Sequence, residues 1–238
     1  MGTKKFVVAS DFVLSFMWVC SGVLLKSFLI KNMTFSHSHL SEIVKFSFSI
    51  ANMFFYAFLS KLFHGGANNP LATLLDAISG DFHNFLFCIG SRIPAQVIGY
   101  IVGVKLLIDT IPEVGRGPRL NVDVPLGALI EGLLTFLIVI ISLGLATTKI
   151  QRNFFIKTWI SSFIKIILHK LGSGLTGGCM NPASVMGWAY ARGDHITKEH
   201  FVVYWLAPME ATLLAVWTFK SLVRRMRKDK TCSKRKSD

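Results

Sequence analysis

Apolar residues along the chain gather into six long stretches, at roughly residues 6–30, 40–63, 85–108, 124–147, 154–171 and 201–223. Each approaches the about 20 mainly apolar residues that a membrane-spanning helix needs. The pattern breaks twice, between the second and third stretches and between the fifth and sixth. The first break reads His64-Gly-Gly-Ala-Asn-Asn-Pro-Leu-Ala-Thr73, and the second Thr176-Gly-Gly-Cys-Met-Asn-Pro-Ala-Ser184. In each, glycines precede Asn-Pro, and a segment too short to span follows, at residues 71–78 and 183–190. The chemistry is that of a helix start. Asn caps a helix by accepting a hydrogen bond from a free backbone N–H. Pro at the first helical position lacks only an N–H that had no partner. The glycines let the preceding backbone run irregularly.

The breaks belong to a larger repeat. Asp11 precedes Ser15 by four residues in the first stretch, and Glu131 precedes Thr135 by four in the fourth. The chain therefore reads as two copies, at about 6–108 and 124–223, each of two spans, a broken segment and a third span. A three-span unit reverses direction at its second copy, which is an inverted repeat. The two short helices then enter from opposite faces. Each is about half as long as a spanning helix, so end to end they match a hydrocarbon core of about 30 Å. Irregular backbone at that depth is tolerated only when buried in protein or lining a hydrated cavity. Two such segments meeting there predict a passage.

Composition agrees with a membrane protein: 52% of the residues are hydrophobic and 16% charged, with a mean hydropathy of +0.51. The first stretch is expected to stay as a span, because it carries Asp11 and no small-residue cleavage site follows it. The net charge of +13 changes the picture only by its placement. Lys4 and Lys5, then Lys149, Arg152 and Lys157, then the tail Arg224, Arg225, Arg227, Lys228, Lys230, Lys234, Arg235 and Lys236 all flank spans. With six spans these clusters share one face, and basic flanks favour the cytosol. Both termini are thus expected there, with residues 1–223 as one channel domain and 224–238 as a basic cytosolic tail. That tail reads as an anchor on the anionic bilayer surface rather than a nucleic-acid site. The four cysteines, Cys20, Cys88, Cys179 and Cys232, show neither a CxxC pair nor metal-ligand spacing. No nucleophile–base pair or cofactor motif is visible, so an enzyme, a metal and a cofactor are not expected.

On these residues the chain resembles the aquaporins, the major intrinsic protein family, from Asp11 to Val223. The two Asn-Pro boxes carry the likeness, together with the Asp11/Ser15 and Glu131/Thr135 pairs, Ala95-Gln96, and Trp205 with Pro208. The subgroup it resembles is the plant small basic intrinsic proteins, second type, on its basic charge, short N-terminus, Leu71 and Ser184. The resemblance implies an all-α membrane protein: a right-handed bundle of six transmembrane helices plus two re-entrant half-helices. It also implies a homotetramer with one pore per subunit, and residence in the endoplasmic reticulum membrane. The tail's Lys234 and Lys236, fifth and third from the end, resemble a dilysine retrieval signal for that compartment.

Site expectations follow. The boxes Asn69-Pro70-Leu71 and Asn181-Pro182-Ala183 form the mid-membrane filter, each Asn turning an amide N–H to the passage, with both half-helix dipoles positive towards the centre. Asp11, Glu131 and Gln96 give structural support, the carboxylates by accepting hydrogen bonds from backbone ahead of each Asn-Pro. Family alignment puts the selectivity constriction at Ser49, His169, Gly178 and Ser184, where most members carry an aromatic residue first and Arg last. With serine at both, a fixed cation is lost, and cation exclusion rests mainly on the helix dipoles. Lys165 is expected to pair with Glu210. Leu71 replaces the usual Ala and adds bulk beside Asn69. Two functions stay open: a passive channel for water and other small neutral solutes, or a non-conducting protein of the same fold with an assembly role. A proton-coupled transporter ranks last, since both repeat-related carboxylates have a structural explanation.

Overall fold

The computed structural model describes residues 2–32, 39–111, 115, 117–148 and 152–235. Lys149 and Lys236, singled out above, lie outside the described residues. Helix α1 is Gly2–Asn32 and α2 is His39–Leu62. The half-helix α3 is Pro70–Ser79. Helix α4, Phe82–Thr110, contains a π-turn at Cys88–Arg92. The second half repeats this order. Helix α5 is Val124–Thr147, α6 is Phe154–Gly172 and the half-helix α7 is Pro182–Arg192. Helix α8 is built of Lys198–Phe201, a π-turn at Val202–Leu206, and Ala207–Arg235. The matching π-turns, one in the third span of each half, are a sign of the repeat that the sequence did not show. The last helix also runs on through the basic segment after Val223 as far as Arg235.

Five of the spanning helices are long and apolar enough to cross a membrane by length and composition, among the described residues. The sixth, α6, is 19 residues long but carries Lys157, Lys165 and Lys170. The first two of these line a cavity, and Lys170 is exposed beside Glu42.

Packing follows the repeat. Helix α1 lies along α4, and α5 lies along α8. The half-helix of each copy also reaches into the other: α7 packs on α4, and α3 touches α8. Residues from both copies therefore share one core, in which Val19, Tyr100, Val104, Ala183 and Trp188 meet. The α1–α4 crossing is close because Gly99 faces it. A Cβ there would collide with the backbone carbonyl of Phe12 and sit 3.0 Å from Ser15 Cβ. Small residues at such crossings let helix backbones approach in the absence of a hydrophobic drive between them. This contact holds α4, and with it Arg92, Gln96 and Tyr100, against the loop that leads to the first half-helix.

The polar expectations outside the boxes come out unevenly. Lys165 does not pair with Glu210: its ammonium lies 5.0 Å from the centre of the Trp18 ring, whereas Glu210 is exposed on α8. The reason is placement, since α6 packs on α2 and α5 but not closely on α8.

Candidate functional site

Both half-helices begin where the sequence places their caps. Asn69 Oδ1 accepts from Leu71 N at 2.9 Å, and Asn181 Oδ1 accepts from Ser184 N at 3.3 Å. Pro70 and Pro182 are the first helical residues of α3 and α7. Both are buried, as are Leu71 and Ala183. Leu71 therefore packs into the core.

The amide nitrogens tie the boxes together. Asn69 Nδ2 donates to the Met180 carbonyl at 2.9 Å, and Asn181 Nδ2 donates to the Asn68 carbonyl at 2.9 Å. Each box thus holds the residue just before the other box's Asn. The link spans 111 residues in one direction and 113 in the other. Sequence reasoning turned these N–H groups to the passage. In the structure at least one N–H of each Asn is engaged across the junction. Tyr100, fully buried on α4, adds to it: its hydroxyl donates to Asn68 O at 3.1 Å and accepts from Asn181 Nδ2 at 3.0 Å.

Two carboxylates support the loops that deliver these caps. Asp11 Oδ1 accepts from Ala67 N at 2.6 Å. Glu131 accepts from Thr176 Oγ1 at 2.7 Å, Cys179 N at 3.0 Å and Met180 N at 3.0 Å. The halves differ in one respect. Arg92 meets Asp11 through Nε at 2.7 Å and Nη2 at 3.1 Å, and also reaches Gly65 O and Asp76. Glu131 has no salt bridge among the described residues. Gln96 Nε2 donates to Thr73 Oγ1 at 2.7 Å, fixing α3 to α4.

The second loop is strained where it turns into the junction. Gly178 has φ +53, and a Cβ there would sit 2.6 Å from the His169 carbonyl. Met180, a non-glycine residue, has φ 47, a conformation that is uncommon outside glycine. It is held from both sides, its N–H on Glu131 and its carbonyl on Asn69.

Two cavities flank the junction. One, of about 560 Å³, is lined by Ser49, His169, Gly178, Asn181 and Ser184. All four residues expected at the constriction therefore share one cavity. The other, of about 610 Å³, is lined by Tyr56, Ala67, Asn68 and Asp76 among others. In the first cavity His169 Nδ1 lies 3.1 Å from Gly178 O. A carbonyl only accepts, so Nδ1 carries the proton in this contact. Ser49 Oγ donates to Lys45 O on its own helix at 2.8 Å.

Arg92 and Tyr100 were missed by sequence reasoning. Arg92 had a legible signal, a guanidinium inside an apolar stretch. Tyr100 had none.

The family model described as "Major intrinsic protein" matches residues 3–219. The chain is 53% identical to a probable aquaporin SIP2-1 of Arabidopsis thaliana over 98% of both chains. It is 45% identical to an aquaporin SIP2-1 of Zea mays over 95% of this chain and 92% of the relative. Among solved structures, an aquaglyceroporin from Plasmodium falciparum matches with a TM-score of 0.64 at 17% identity, covering 91% of this chain and 93% of that one.

Proposed function

The chain belongs to the major intrinsic protein family and is a multi-pass membrane channel for water or other small solutes, not an enzyme; from that premise we propose that the two crossed Asn-Pro boxes are its filter. The observation that carries this reading is the reciprocal link of Asn69 to Met180 O and Asn181 to Asn68 O, with Asn68 lining one cavity and Asn181 the other. Asn69-Pro70-Leu71 and Asn181-Pro182-Ala183 form the narrow midpoint, with both half-helix N-termini aimed at it. Ser49, His169, Gly178 and Ser184 form a second, wider constriction with small polar groups and one imidazole. Asp11, Glu131 and Gln96 hold the loops in register. The solutes are water and other small neutral molecules that exchange hydrogen bonds with hydroxyls and carbonyls.

Purified protein in liposomes tests this. Osmotic shrinkage is expected to run faster than in empty vesicles, and to be followed by re-swelling with glycerol, urea or hydrogen peroxide where the solute passes. Shrinkage no faster than in empty vesicles would favour the other reading, a non-conducting assembly protein. That reading draws on the junction itself, where Asn181 Nδ2 already has two acceptors within hydrogen-bond reach.

The channel is a homotetramer of the endoplasmic reticulum membrane, with residues 1–223 as one domain and a basic cytosolic tail at 224–238. The tetramer is carried over from the resemblance; the compartment rests on the subgroup and on the tail lysines. Replacing Lys234 and Lys236 with serine is expected to release a fraction of the protein to later compartments, visible by microscopy of a tagged chain. Undiminished retention would remove those lysines as the signal.

A further inference from the structure

Lys165 stands at an unusual place for an ammonium group. It is the twelfth residue of α6, roughly 16 Å from the start of a helix about 28 Å long, and so near mid-membrane. It lines both cavities, as do Trp18 and Met53. Its side chain is half-buried and forms no salt bridge among the described residues. The ammonium instead lies over the Trp18 ring, 5.0 Å from its centre, within the reach of a cation–π contact. That contact holds the charge in place without neutralising it.

Lys157 adds a second positive side chain to the lining of the second cavity. The carboxylate lining that cavity, Asp76, is bound to Arg92 Nη1 at 3.1 Å. A fixed positive charge in a narrow, poorly solvated passage repels cations strongly and leaves neutral molecules unaffected. Ser184 stands where most members of the family carry a cation, which leaves exclusion at that point to the helix dipoles. The fold supplies a full charge from another helix.

We propose that Lys165, positioned by Trp18, is a specificity-determining residue that rejects cations where the two halves of the passage meet. The inference rests on the channel reading above and adds to it which solutes are turned away.

The test uses the full chain in proteoliposomes, with osmotic shrinkage and potassium efflux measured on the same preparations. Wild type and K165R are expected to shrink faster than empty vesicles while holding potassium. K165Q, with K165M as the second neutral variant should K165Q not yield monodisperse protein, is expected still to shrink faster than empty vesicles and to leak potassium about ten-fold faster than wild type. Rapid shrinkage of the neutral variant with potassium efflux at the wild-type level would overturn the role of Lys165 and leave the channel reading standing. Wild-type shrinkage no faster than empty vesicles would overturn the channel reading and this inference with it.

Discussion

Replacing Arg92 with methionine is expected to lower stability by about 3–5 kcal/mol, the cost of leaving a buried charge without its partner. Arg92 is 6% exposed and Asp11 0%, and the pair is bidentate, at 2.7 and 3.1 Å. Without the guanidinium, Asp11 keeps only the hydrogen bond from Ala67 N among the described residues. The Gly65 carbonyl loses its Nη2 donor at the same time. Both losses fall on the loop that delivers Asn69, so the damage converges on the first box. In a chain of this size the expected fall in melting temperature in detergent is about 10 °C. Arg92→Lys is expected to recover little of it, because a point charge cannot span both carboxylate oxygens and Gly65 O as the planar fork does. The double variant Asp11→Leu, Arg92→Met is expected to melt above Arg92→Met alone, since removing both charges leaves neither stranded. A double variant no more stable than the single would show that the pair is not the source of the loss.

That pair marks the limit of what the sequence could reveal. The six spans, the two half-helices and the repeat are local matters. They follow from apolar run length, from glycines before Asn-Pro, and from an acidic residue four positions before a hydroxyl in each half. Capping is equally local, and Asn69 and Asn181 cap their helices within three residues. The junction is different because its contacts join residues more than a hundred positions apart. No period or motif encodes that Met180 O faces Asn69, or that Tyr100 reaches Asn68 and Asn181 together. The misplaced Lys165–Glu210 pair has the same origin. Similar depth along two helices says nothing about whether those helices are neighbours, and α6 and α8 are not closely packed. The π-turns are likewise invisible in the sequence. One of them contains Arg92, so the same local irregularity that escapes sequence reasoning carries the residue that reaches Asp11.

The second half depends on a carboxylate that forms no salt bridge among the described residues, and there the largest effect is expected from Glu131→Ala. Glu131 is 1% exposed and accepts from one hydroxyl and two backbone N–H groups. Truncation leaves the Cys179 and Met180 N–H groups without acceptors, at about 1–3 kcal/mol for each buried donor left unpaired. Glu131→Gln is the milder case. Its carbonyl oxygen keeps one side of the contact, while its NH2 group turns a donor towards an N–H that needs an acceptor. Roughly half the loss of the alanine variant is expected. The consequence reaches the other half of the molecule through Met180. That residue holds φ 47 because Glu131 grips its N–H and Asn69 donates to its carbonyl. Once either grip is gone the strained turn can relax, and the other contact loses its geometry. Glu131→Ala and Asn69→Ala are therefore expected to be coupled although the residues do not touch: in a double-mutant cycle read by melting temperature, the combined loss should fall short of the sum by more than about 0.5 kcal/mol. Strict additivity would mean that the two boxes are held independently, and that the crossed link at the centre does not transmit strain between the halves.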